Sequence, residues 1–423
     1  MTIRELHRIF LEQNQRLYTD TRKPVEGGLF LALKGPGFNG NHFAAKALEQ
    51  GASFVVCDEK VQDADPSKVL YVPNVLECLQ HVARFHRDFC ESTTILAVGG
   101  SNGKTTTKEL LHHVLSTTFR VHSTPGNLNN HIGVPLTLLG IKPQTQIAVV
   151  ELGTNQPGDI ELLCSICNPN LALVTNIGKE HLEGFGTVEA IAHEESVLYQ
   201  YILKNGGHGF FNADDPWIHS MSKRFVNKTM YSLQDYNVLK KVPSIVVQDV
   251  NGNTLSSHLA GLHNISNMAA AIAVAQHMQV PIERCIEAIA SYVPSHFRSE
   301  WIQTKENLLF FDAYNANPTS MKLALETLAE LNKPNKWAIL GDMFELGQEA
   351  ASEHQHIVAI AQSLGYDKVI TVGKHFSDIH HSNLSFETLD DLKKYLKKAP
   401  PKGCTLLVKA SRGMKMEELM DYL

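Results

Sequence analysis

A glycine-rich segment between an apolar run and a helix-favouring run constrains the fold of this chain more than any other feature. The run Thr94-Ile-Leu-Ala-Val precedes Gly99-Gly-Ser-Asn-Gly-Lys-Thr-Thr, which leads into Glu109-Leu-Leu-His-His. Such a turn between a strand and a helix points backbone N–H groups at phosphate oxygens, and the helix N-terminus adds a favourable field. Lys104 is then expected to reach the β- and γ-phosphates, and Thr105 to offer its hydroxyl to Mg²⁺. We therefore predict a nucleotide site over Gly100, Ser101, Asn102, Gly103, Lys104, Thr105 and Thr106.

The spacing of this loop departs from the general nucleotide-loop pattern, because Val98 stands where that pattern has its first glycine. A glycine turn with only a structural role is the alternative interpretation. GTPases, kinases and transporters use similar loops, so the loop by itself predicts nucleotide binding and not a reaction.

Continuously apolar runs alternate with helix-favouring segments along most of the chain. Such runs are typical of strands buried on both faces of a mainly parallel sheet. A helix is predicted over Phe43–Gln50, and another is predicted to end at Ser291. Besides Thr94-Ile-Leu-Ala-Val, strands are predicted at Leu29-Phe-Leu-Ala-Leu, Ser53-Phe-Val-Val-Cys, Ile147-Ala-Val-Val-Glu, Leu171-Ala-Leu-Val-Thr, Leu308-Leu-Phe-Phe, Trp337-Ala-Ile-Leu, Lys368-Val-Ile-Thr-Val and Thr405-Leu-Leu-Val.

The predicted fold class is α/β with three domains, since 423 residues exceed one ordinary core. Residues 1–90 form a small α/β domain in this prediction. Residues 91–293 form a central P-loop-type domain with a mainly parallel sheet, and residues 294–423 form a doubly wound, Rossmann-like domain.

The bulk composition excludes several classes of protein. Hydrophobic residues make up 43% of the chain and charged residues 19%, which excludes disordered, collagen-like and coiled-coil chains. A net charge of −6 gives no electrostatic reason to expect a nucleic-acid partner. Arg4, Glu5 and Glu12 interrupt the apolar residues of the amino terminus, unlike a signal peptide or a membrane span, so we predict a cytoplasmic protein.

The seven cysteines are odd in number and scattered, which argues against a secreted disulfide framework. Cys164 and Cys167 have the spacing of a metal-binding pair, but no second pair lies nearby in sequence. Buried thiols are therefore favoured over a zinc site.

The short loop form Gly100-Ser-Asn-Gly-Lys-Thr-Thr resembles the ATP loop of the Mur ligases and their folylpolyglutamate synthase relatives. Further segments that resemble this family occur in the same order and extend over nearly the whole chain. They are Asp20-Thr-Arg, Gly126-Asn-Leu-Asn-Asn-His, Glu151-Leu-Gly-Thr-Asn, Asn176-Ile-Gly-Lys-Glu-His, Gly261-Leu-His-Asn-Ile-Ser-Asn, Asp312-Ala-Tyr-Asn-Ala-Asn-Pro, Gly341-Asp-Met-Phe-Glu-Leu-Gly and Lys409-Ala-Ser-Arg-Gly.

This resemblance implies an ATP- and Mg²⁺-dependent amide ligase that is a monomer and acts through an acyl phosphate. The implied substrates are a UDP-linked muramoyl tripeptide, with its uridine on the amino-terminal domain, and D-alanyl-D-alanine. Implied catalytic and metal-binding residues are Lys104, Thr105, Glu151 and His181. Implied ATP contacts also include Asn267 (adenine), Arg298 (phosphate) and Asp312 (ribose). Implied substrate contacts are Asp20, Thr21, Arg22, Asn127, Asn129, Asn130, Asn315, Asn317, Lys409 and Arg412. Because the implied ATP contacts fall on both the central and the carboxy-terminal domain, the resemblance also predicts a hinge between these domains, near residues 290–296.

One position departs from the family pattern. Most Mur ligases carry a lysine about fourteen residues beyond the motif histidine, and CO₂ converts it to a carbamate that supports a second Mg²⁺. Glu195 stands at that position here, and no lysine occurs between Lys179 and Lys204. We hypothesise that the Glu195 carboxylate does the work of the carbamate. The alternatives are that Glu194 takes this role through a one-residue shift, or that the second metal site has decayed.

Two other functions would use the same nucleotide loop. A folylpolyglutamate synthase would use the same ATP loop but needs a pteridine site in place of the long amino-terminal unit. A nucleotide-gated scaffold would bind the cell-wall precursor without turnover, and retention of Lys104, Thr105, Glu151 and His181 argues against it.

Overall fold

The computed structural model of the chain describes residues 1–294, 297–379 and 384–423. These residues form two compact units. The first contains residues 1–97, 119–154 and 158–171, and the second contains residues 98–118, 155–157 and 172–423. The predicted hinge at 290–296 includes residues 295 and 296, which lie outside the described part of the chain.

The amino-terminal region forms a parallel sheet with a short hairpin beside it, and its helices follow from local signals. Thr2 and Glu5 make a reciprocal capping box at the start of the first helix. Apolar residues three and four apart bury one face of the third helix. The sheet order is β1-β2-β5-β6, and β3 and β4 form the hairpin. The elements are α1 (Ile3–Glu12), β1 (Leu17–Tyr18), β2 (Leu29–Leu31), β3 (Lys34–Gly35), β4 (Phe38–Asn39), α2 (Ala44–Glu49), β5 (Phe54–Cys57), β6 (Val69–Tyr71) and α3 (Val75–Phe89).

The next sheet contains the strand that leads into the phosphate loop. Its strand order is β12-β11-β10-β7-β9-β8, and its continuously apolar strands β7, β9 and β10 are buried almost throughout. Strands β8 and β9 pair in parallel, as do β11 and β12. The strands are β7 (Thr94–Gly99), β8 (Val121–Ser123), β9 (Ile147–Glu151), β10 (Leu171–Val174), β11 (His208–Asn212) and β12 (Lys228–Tyr231).

Helices cover this sheet, and an antiparallel ribbon follows it. The ribbon pairs β13 (Tyr236–Lys240), β14 (Ile245–Asp249) and β15 (Thr254–Ser257) in that order. The helices are α4 (Lys104–Leu115), α5 (Gly133–Leu139), α6 (Asp159–Cys167), α7 (Leu182–Phe185), α8 (Val188–Lys204), α9 (Pro216–Ser222), α10 (Leu262–His277) and α11 (Ile282–Ser291).

The carboxy-terminal sheet has the order β16-β17-β21-β18-β19-β20, with β16 antiparallel and the other pairs parallel. Helices bury apolar side chains on both of its faces, which gives the doubly wound architecture that was predicted. Its elements are β16 (Glu300–Gln303), β17 (Leu308–Phe311), α12 (Pro318–Ala329), β18 (Lys336–Gly341), α13 (Ala350–Ser363), β19 (Lys368–Val372), α14 (Lys374–Ser377), β20 (Leu384–Phe386), α15 (Leu389–Lys398) and β21 (Thr405–Lys409).

The predicted α/β class is confirmed, and every strand predicted from an apolar run is present to within two residues at each end. Helix α2 lies inside the predicted range, and α11 ends at Ser291 as predicted. Within the described ranges, no helix is long and apolar enough to cross a membrane.

Candidate active site

The phosphate loop connects β7 to α4, and its backbone needs glycine. Gly100 and Gly103 have φ angles of 110° and 81°, in the left-handed region that other residues disfavour. A Cβ at Gly100 would also lie 2.7 Å from the Thr175 backbone nitrogen. The loop is held by the segment after β10, because the Ser101 N–H donates to the Asn176 carbonyl and the Asn102 N–H to the Asn176 side chain. The first-turn N–H groups of α4 lack intrahelical acceptors, which is the arrangement that binds anions.

Lys104 folds back over this loop. Its ammonium donates to the Gly100 carbonyl, to the Ser101 carbonyl at 3.4 Å and to the Glu180 carboxylate at 3.4 Å. Both side chains of the Lys104–Glu180 pair are largely buried. The lysine is thus held at the loop by neutral carbonyls and one carboxylate, in a position to exchange carbonyl contacts for phosphate oxygens.

Asn267 and Asn317 both contact the phosphate loop. Asn267 on α10 accepts a hydrogen bond from Thr107, and a Cβ at Gly103 would lie 2.6 Å from its Oδ1. Asn317 caps α12 and donates from Nδ2 to the Asn102 Oδ1 at 2.9 Å. The structure therefore brings both predicted residues to one loop.

Glu195 on α8 is fully buried against the same loop. A Cβ at Gly99 would lie 2.6 Å from its Oε2, so glycine is what leaves room for the carboxylate. Neither oxygen has a hydrogen-bond partner of ordinary geometry within the described residues. Burial raises the pKa of Glu195 to about 8, whereas Lys104 and the backbone N–H of Gly100 lower it. A cation at this carboxylate would favour its charged form.

His181 lies at the start of α7 with a left-handed φ of 44°. Its Nδ1 is 2.5 Å from the Glu345 Oε2, and its Nε2 is 3.9 Å from the Glu180 carboxylate. The hydrogen bond from His181 holds the pKa of Glu345 below its usual value. Glu345 follows β18, so this pair joins two segments that are distant in sequence.

Lys409 and Asp312 form a buried ion pair at the carboxyl ends of β21 and β17. Lys409 is 1% exposed, and its ammonium donates to the Asp312 carboxylate at 2.6 Å, the Asn315 carbonyl at 3.0 Å and the Asp312 carbonyl at 3.3 Å. Burial raises the pKa of Asp312, but Lys409 and the Ser299 N–H outweigh it and lower the pKa. Because three acceptors use its three protons, Lys409 holds the segment 312–315 in place.

Two arginines stack on Tyr314 in the same segment. The Arg298 guanidinium lies 3.4 Å from the ring centroid and that of Arg412 lies 4.7 Å from it. Among the described residues, neither arginine lies within ion-pair distance of a carboxylate, so both guanidinium groups remain suited to an anionic ligand. Asn315 is exposed beside them, its side chain accepting from the Ala316 N–H.

Glu151 and the residues predicted to contact the UDP-linked precursor lie in the first compact unit. Glu151 ends β9, accepts from Asn129 Nδ2 at 2.8 Å and is almost fully buried. The Asn130 side chain accepts from the N–H groups of Ile132 and Gly133 where α5 begins, and Asn127 is exposed in the preceding turn. The Asn129 hydrogen bond holds its side-chain amide beside the Glu151 carboxylate.

Asp20, Thr21 and Arg22 form a surface turn in the same unit. Arg22 donates from Nε and Nη2 to the two Asp20 oxygens at 2.8–3.1 Å, and this lowers the pKa of Asp20 to about 2. Thr21 is buried between them. The uridine contact predicted for these residues stays a prediction.

Within the described ranges, no group of three His, Cys, Asp or Glu side chains is arranged to hold a metal ion by itself. The donor set nevertheless fits Mg²⁺, which keeps several waters and takes one or two carboxylates plus phosphate oxygens. The two buried Glu195 oxygens and the Glu180 Oε1, which lack hydrogen-bond partners there, are suited to a cation or its waters. Cys164 and Cys167 are buried on α6 and are not joined in a disulfide.

Sequence reasoning did not assign Glu180, Glu345 or Tyr314 a role, although all three stand inside quoted motifs. Their location within segments that resemble the Mur ligases was the one feature of the sequence that could have pointed to them. Only the fold shows that Glu180 contacts Lys104, that Glu345 contacts His181, and that Tyr314 lies under Arg298.

Comparison with known proteins gives one consistent result. Residues 98–275 match the Mur ligase middle domain, and residues 297–412 match the Mur ligase, glutamate ligase domain. The UDP-N-acetylmuramoyl-tripeptide–D-alanyl-D-alanine ligase of Bacillus subtilis is 36% identical, over 96% of this chain and 92% of the relative. A crystal structure of MurF from Acinetobacter baumannii has a TM-score of 0.86 at 29% identity and covers 96% of this chain and 92% of that one. MurF ligase from Thermotoga maritima in complex with ADP has a TM-score of 0.85 at 27% identity and covers 97% of both chains.

Proposed function

Because the chain belongs to the Mur ligase family, we infer that it is an ATP-dependent, ADP-forming ligase that joins D-alanyl-D-alanine to UDP-N-acetylmuramoyl-tripeptide in peptidoglycan precursor synthesis. The observation that carries this inference is the convergence of Lys104, Glu180, Glu195 and Asn317 on one phosphate loop. Nothing in the fold or the comparisons favours a folylpolyglutamate synthase or a non-catalytic scaffold.

The reaction needs an activated carboxylate, since a free carboxylate is a poor electrophile. A substrate carboxylate oxygen attacks the γ-phosphorus of ATP, the bond to the β-phosphate oxygen breaks, and ADP leaves. The amine of D-alanyl-D-alanine then attacks the acyl phosphate, loses a proton, and phosphate departs as the amide forms. Phosphoryl transfer is catalysed chiefly by positioning and charge neutralisation, which Lys104 and the N-terminus of α4 are suited to supply.

Mg²⁺ would neutralise phosphate charge during this transfer. We propose that the Thr105 hydroxyl and the Glu151 carboxylate would hold one Mg²⁺, and that the His181 imidazole and the Glu195 carboxylate would hold a second. Oxygen donors dominate this set, as the ion prefers. The burial of Glu195 without ordinary hydrogen bonds supports its inclusion, because an uncompensated buried carboxylate is costly.

The nucleotide and dipeptide contacts are proposed on the same basis. Asn267 is assigned to the adenine, Arg298 to a phosphate and Asp312 to the ribose, together with the loop residues Gly100 to Thr106. For the dipeptide, Asn315, Asn317 and Arg412 are assigned as contacts, and Lys409 shapes that region by fixing segment 312–315. For the UDP-linked precursor, Asp20, Thr21, Arg22, Asn127, Asn129 and Asn130 are assigned. The three-domain boundaries, the hinge near 290–296, the monomeric state and the cytoplasmic location belong to the same proposal.

The assignment is tested by incubating purified protein with ATP, Mg²⁺, UDP-N-acetylmuramoyl-tripeptide and D-alanyl-D-alanine. We expect ADP and the pentapeptide product to appear in equal amounts and only when both peptides are present. No product with tripeptides carrying either diaminopimelate or lysine would overturn the assignment in favour of the scaffold. ADP formation that ignores the dipeptide would overturn it in favour of ATP hydrolysis without ligation.

Glu195 gives a sharper test of the metal site. If its carboxylate replaces the carbamate, wild-type activity will not change when bicarbonate is removed or added. Glu195→Ala is expected to lower kcat about 10- to 100-fold at any bicarbonate concentration, a loss typical for disturbed metal sites. Glu195→Lys restores the residue usual in the family and should make activity depend on bicarbonate.

Glu194→Gln is the matched control for Glu195, since both residues are buried neighbours on α8. Glu195, and not Glu194, approaches Gly99, so Glu194→Gln should leave kcat within about threefold of wild type. A large loss in Glu194→Gln with an unaffected Glu195→Ala variant would instead support the one-residue shift.

A further inference from the structure

Two segments of the second compact unit meet through several independent contacts. We call residues 175–181 the histidine loop and residues 342–349 the acidic turn. His181 Nδ1 lies 2.5 Å from the Glu345 carboxylate, and the Glu183 N–H donates to the Glu345 carbonyl at 3.1 Å. Nearby, Lys179 forms an ion pair of 2.5 Å with the buried Glu353. The acidic turn is therefore attached to the histidine loop and its continuation into α7 by side chains and by backbone.

The contact between His181 and Glu345 determines which ring nitrogen carries a proton. An ionised carboxylate only accepts hydrogen bonds, so Nδ1 must be the donor. In a neutral ring, Nε2 is then left with its lone pair. A carboxylate behind a metal-binding histidine characteristically fixes the tautomer and orientation of the ring in this way.

The backbone at both ends of this contact is unusual. His181 and Glu345 have φ angles of 44° and 63°, although neither is glycine. Left-handed conformations of such residues cost free energy and persist where the surrounding structure enforces them, often at functional sites. The two strained positions are the two partners of one hydrogen bond, which is what a positioning role requires.

The histidine loop also contacts the phosphate loop. Glu180, which precedes His181, accepts a hydrogen bond from Lys104, and Ser101 and Asn102 are bonded to Asn176. The His181 Nε2 is 3.9 Å from the Glu180 carboxylate that Lys104 contacts. A continuous series of contacts thus runs from the phosphate loop through the histidine loop to the acidic turn.

From these contacts we propose that Glu345 is a positioning residue, which holds the His181 ring with Nε2 available for the γ-phosphate side of the site. Because Glu345 lies in the turn that follows β18 of the carboxy-terminal sheet, the ring is oriented only while the acidic turn is engaged. The arrangement therefore couples engagement of this sheet to assembly of the catalytic centre. The inference rests on the proposed function and adds to it a residue that acts through another.

The structure offers a control that separates positioning from simple attachment. Removal of the Glu345 side chain leaves both the backbone hydrogen bond from Glu183 and the Lys179–Glu353 pair. Lys179→Ala breaks the ion pair between the histidine loop and α13, the helix that follows the acidic turn, and leaves the Glu345 carboxylate in place. If Glu345 only attaches the turn, the two variants should behave alike.

The first measurement uses ligand-free protein with ¹⁵N-labelled histidine, and long-range ¹H–¹⁵N spectra assign the His181 ring by its loss in His181→Gln. We expect wild type and Lys179→Ala to show Nδ1 protonated, and Glu345→Ala to show a mixture of tautomers. Glu345→Gln keeps a carbonyl acceptor and should retain the wild-type tautomer. An unchanged His181 ring in Glu345→Ala would overturn the proposal.

The second measurement is steady-state ligation. Glu345→Ala is expected to lower kcat about 10- to 100-fold with little change in the KM for ATP, as for other residues behind metal ligands. Glu345→Gln should recover most of this loss, and Lys179→Ala should stay within about threefold of wild type. Equal losses in Glu345→Ala and Lys179→Ala would overturn the positioning role of Glu345. An inactive wild type would count against the ligase assignment, and the histidine spectra would then test the positioning role by themselves.

Discussion

Replacing Lys104 by alanine is expected to lower the ligation rate by about 10³-fold or more. The Lys104 ammonium lies at the phosphate loop and contacts the Glu180 carboxylate, so in the proposed reaction it would supply positive charge to the γ-phosphoryl group. Loss of one such cation or oriented donor costs other enzymes about 10²- to 10⁵-fold in kcat. The measurement is ADP formation at saturating substrates, with pentapeptide followed in parallel.

Lys179→Ala is the matched control for Lys104, because it removes a lysine that follows β10 and lies near the same loop. Its ammonium pairs with Glu353 and is half exposed, so we expect a change within about threefold. Because Lys104 also compensates the largely buried Glu180 carboxylate, Lys104→Ala is assayed well below its own thermal unfolding midpoint, so that the loss of activity reports catalysis and not unfolding. A loss below tenfold in Lys104→Ala would exclude Lys104 as the main cation at the γ-phosphate.

Lys409→Met is expected to lower the free energy of unfolding by about 3–5 kcal/mol. Its buried ammonium compensates the Asp312 carboxylate, whose side chain is 18% exposed, and breaking such a pair leaves one charge without compensation. The substitution also removes two hydrogen bonds that hold the backbone of segment 312–315. Urea unfolding followed by tryptophan fluorescence measures this, since Trp301 and Trp337 lie on strands of the same sheet.

The double variant Asp312→Asn with Lys409→Met tests the cause of this loss. It removes both charges, so part of the lost stability should return. Lys322→Met, which breaks an exposed pair with Glu326, should change the unfolding free energy by less than about 0.5 kcal/mol. A double variant as unstable as the single one would show that hydrogen bonds, and not the unpaired charge, dominate.

Strands and loops were predictable because their signals are local. A continuous apolar run such as Ile147–Val150 predicts a strand buried on both faces whichever strands pair with it, and this run forms most of β9. The glycines of the phosphate loop likewise predict the left-handed backbone conformation that they adopt there. Partly exposed β16 and the ribbon β13–β15 were not predicted, since their mixed apolar and polar residues resemble loop sequence.

The candidate site was only partly predictable. Lys104, His181 and Glu195 were singled out from motif positions, and the structure brings Glu195 against Gly99 and Lys104 close to Glu180. Glu345 was not, because a glutamate in a turn has no local feature that distinguishes an exposed side chain from one that orients a histidine. Lys409 was predicted to shape the dipeptide region, but its contacts with Asp312 became evident only from the pairing of strands.

The sequence by itself determined the α/β class, the strand–loop–helix unit around the glycine-rich loop and the departure at Glu195. Each depends on residues close together in the chain, where periodicity and backbone freedom act directly. Only the tertiary structure decided which side chains form ion pairs and hydrogen bonds with one another: Lys104 with Glu180, His181 with Glu345, and Asp312 with Lys409. These pairings depend on how strands order within a sheet and how turns pack on one another, and burial then sets the electrostatic strength of each pair.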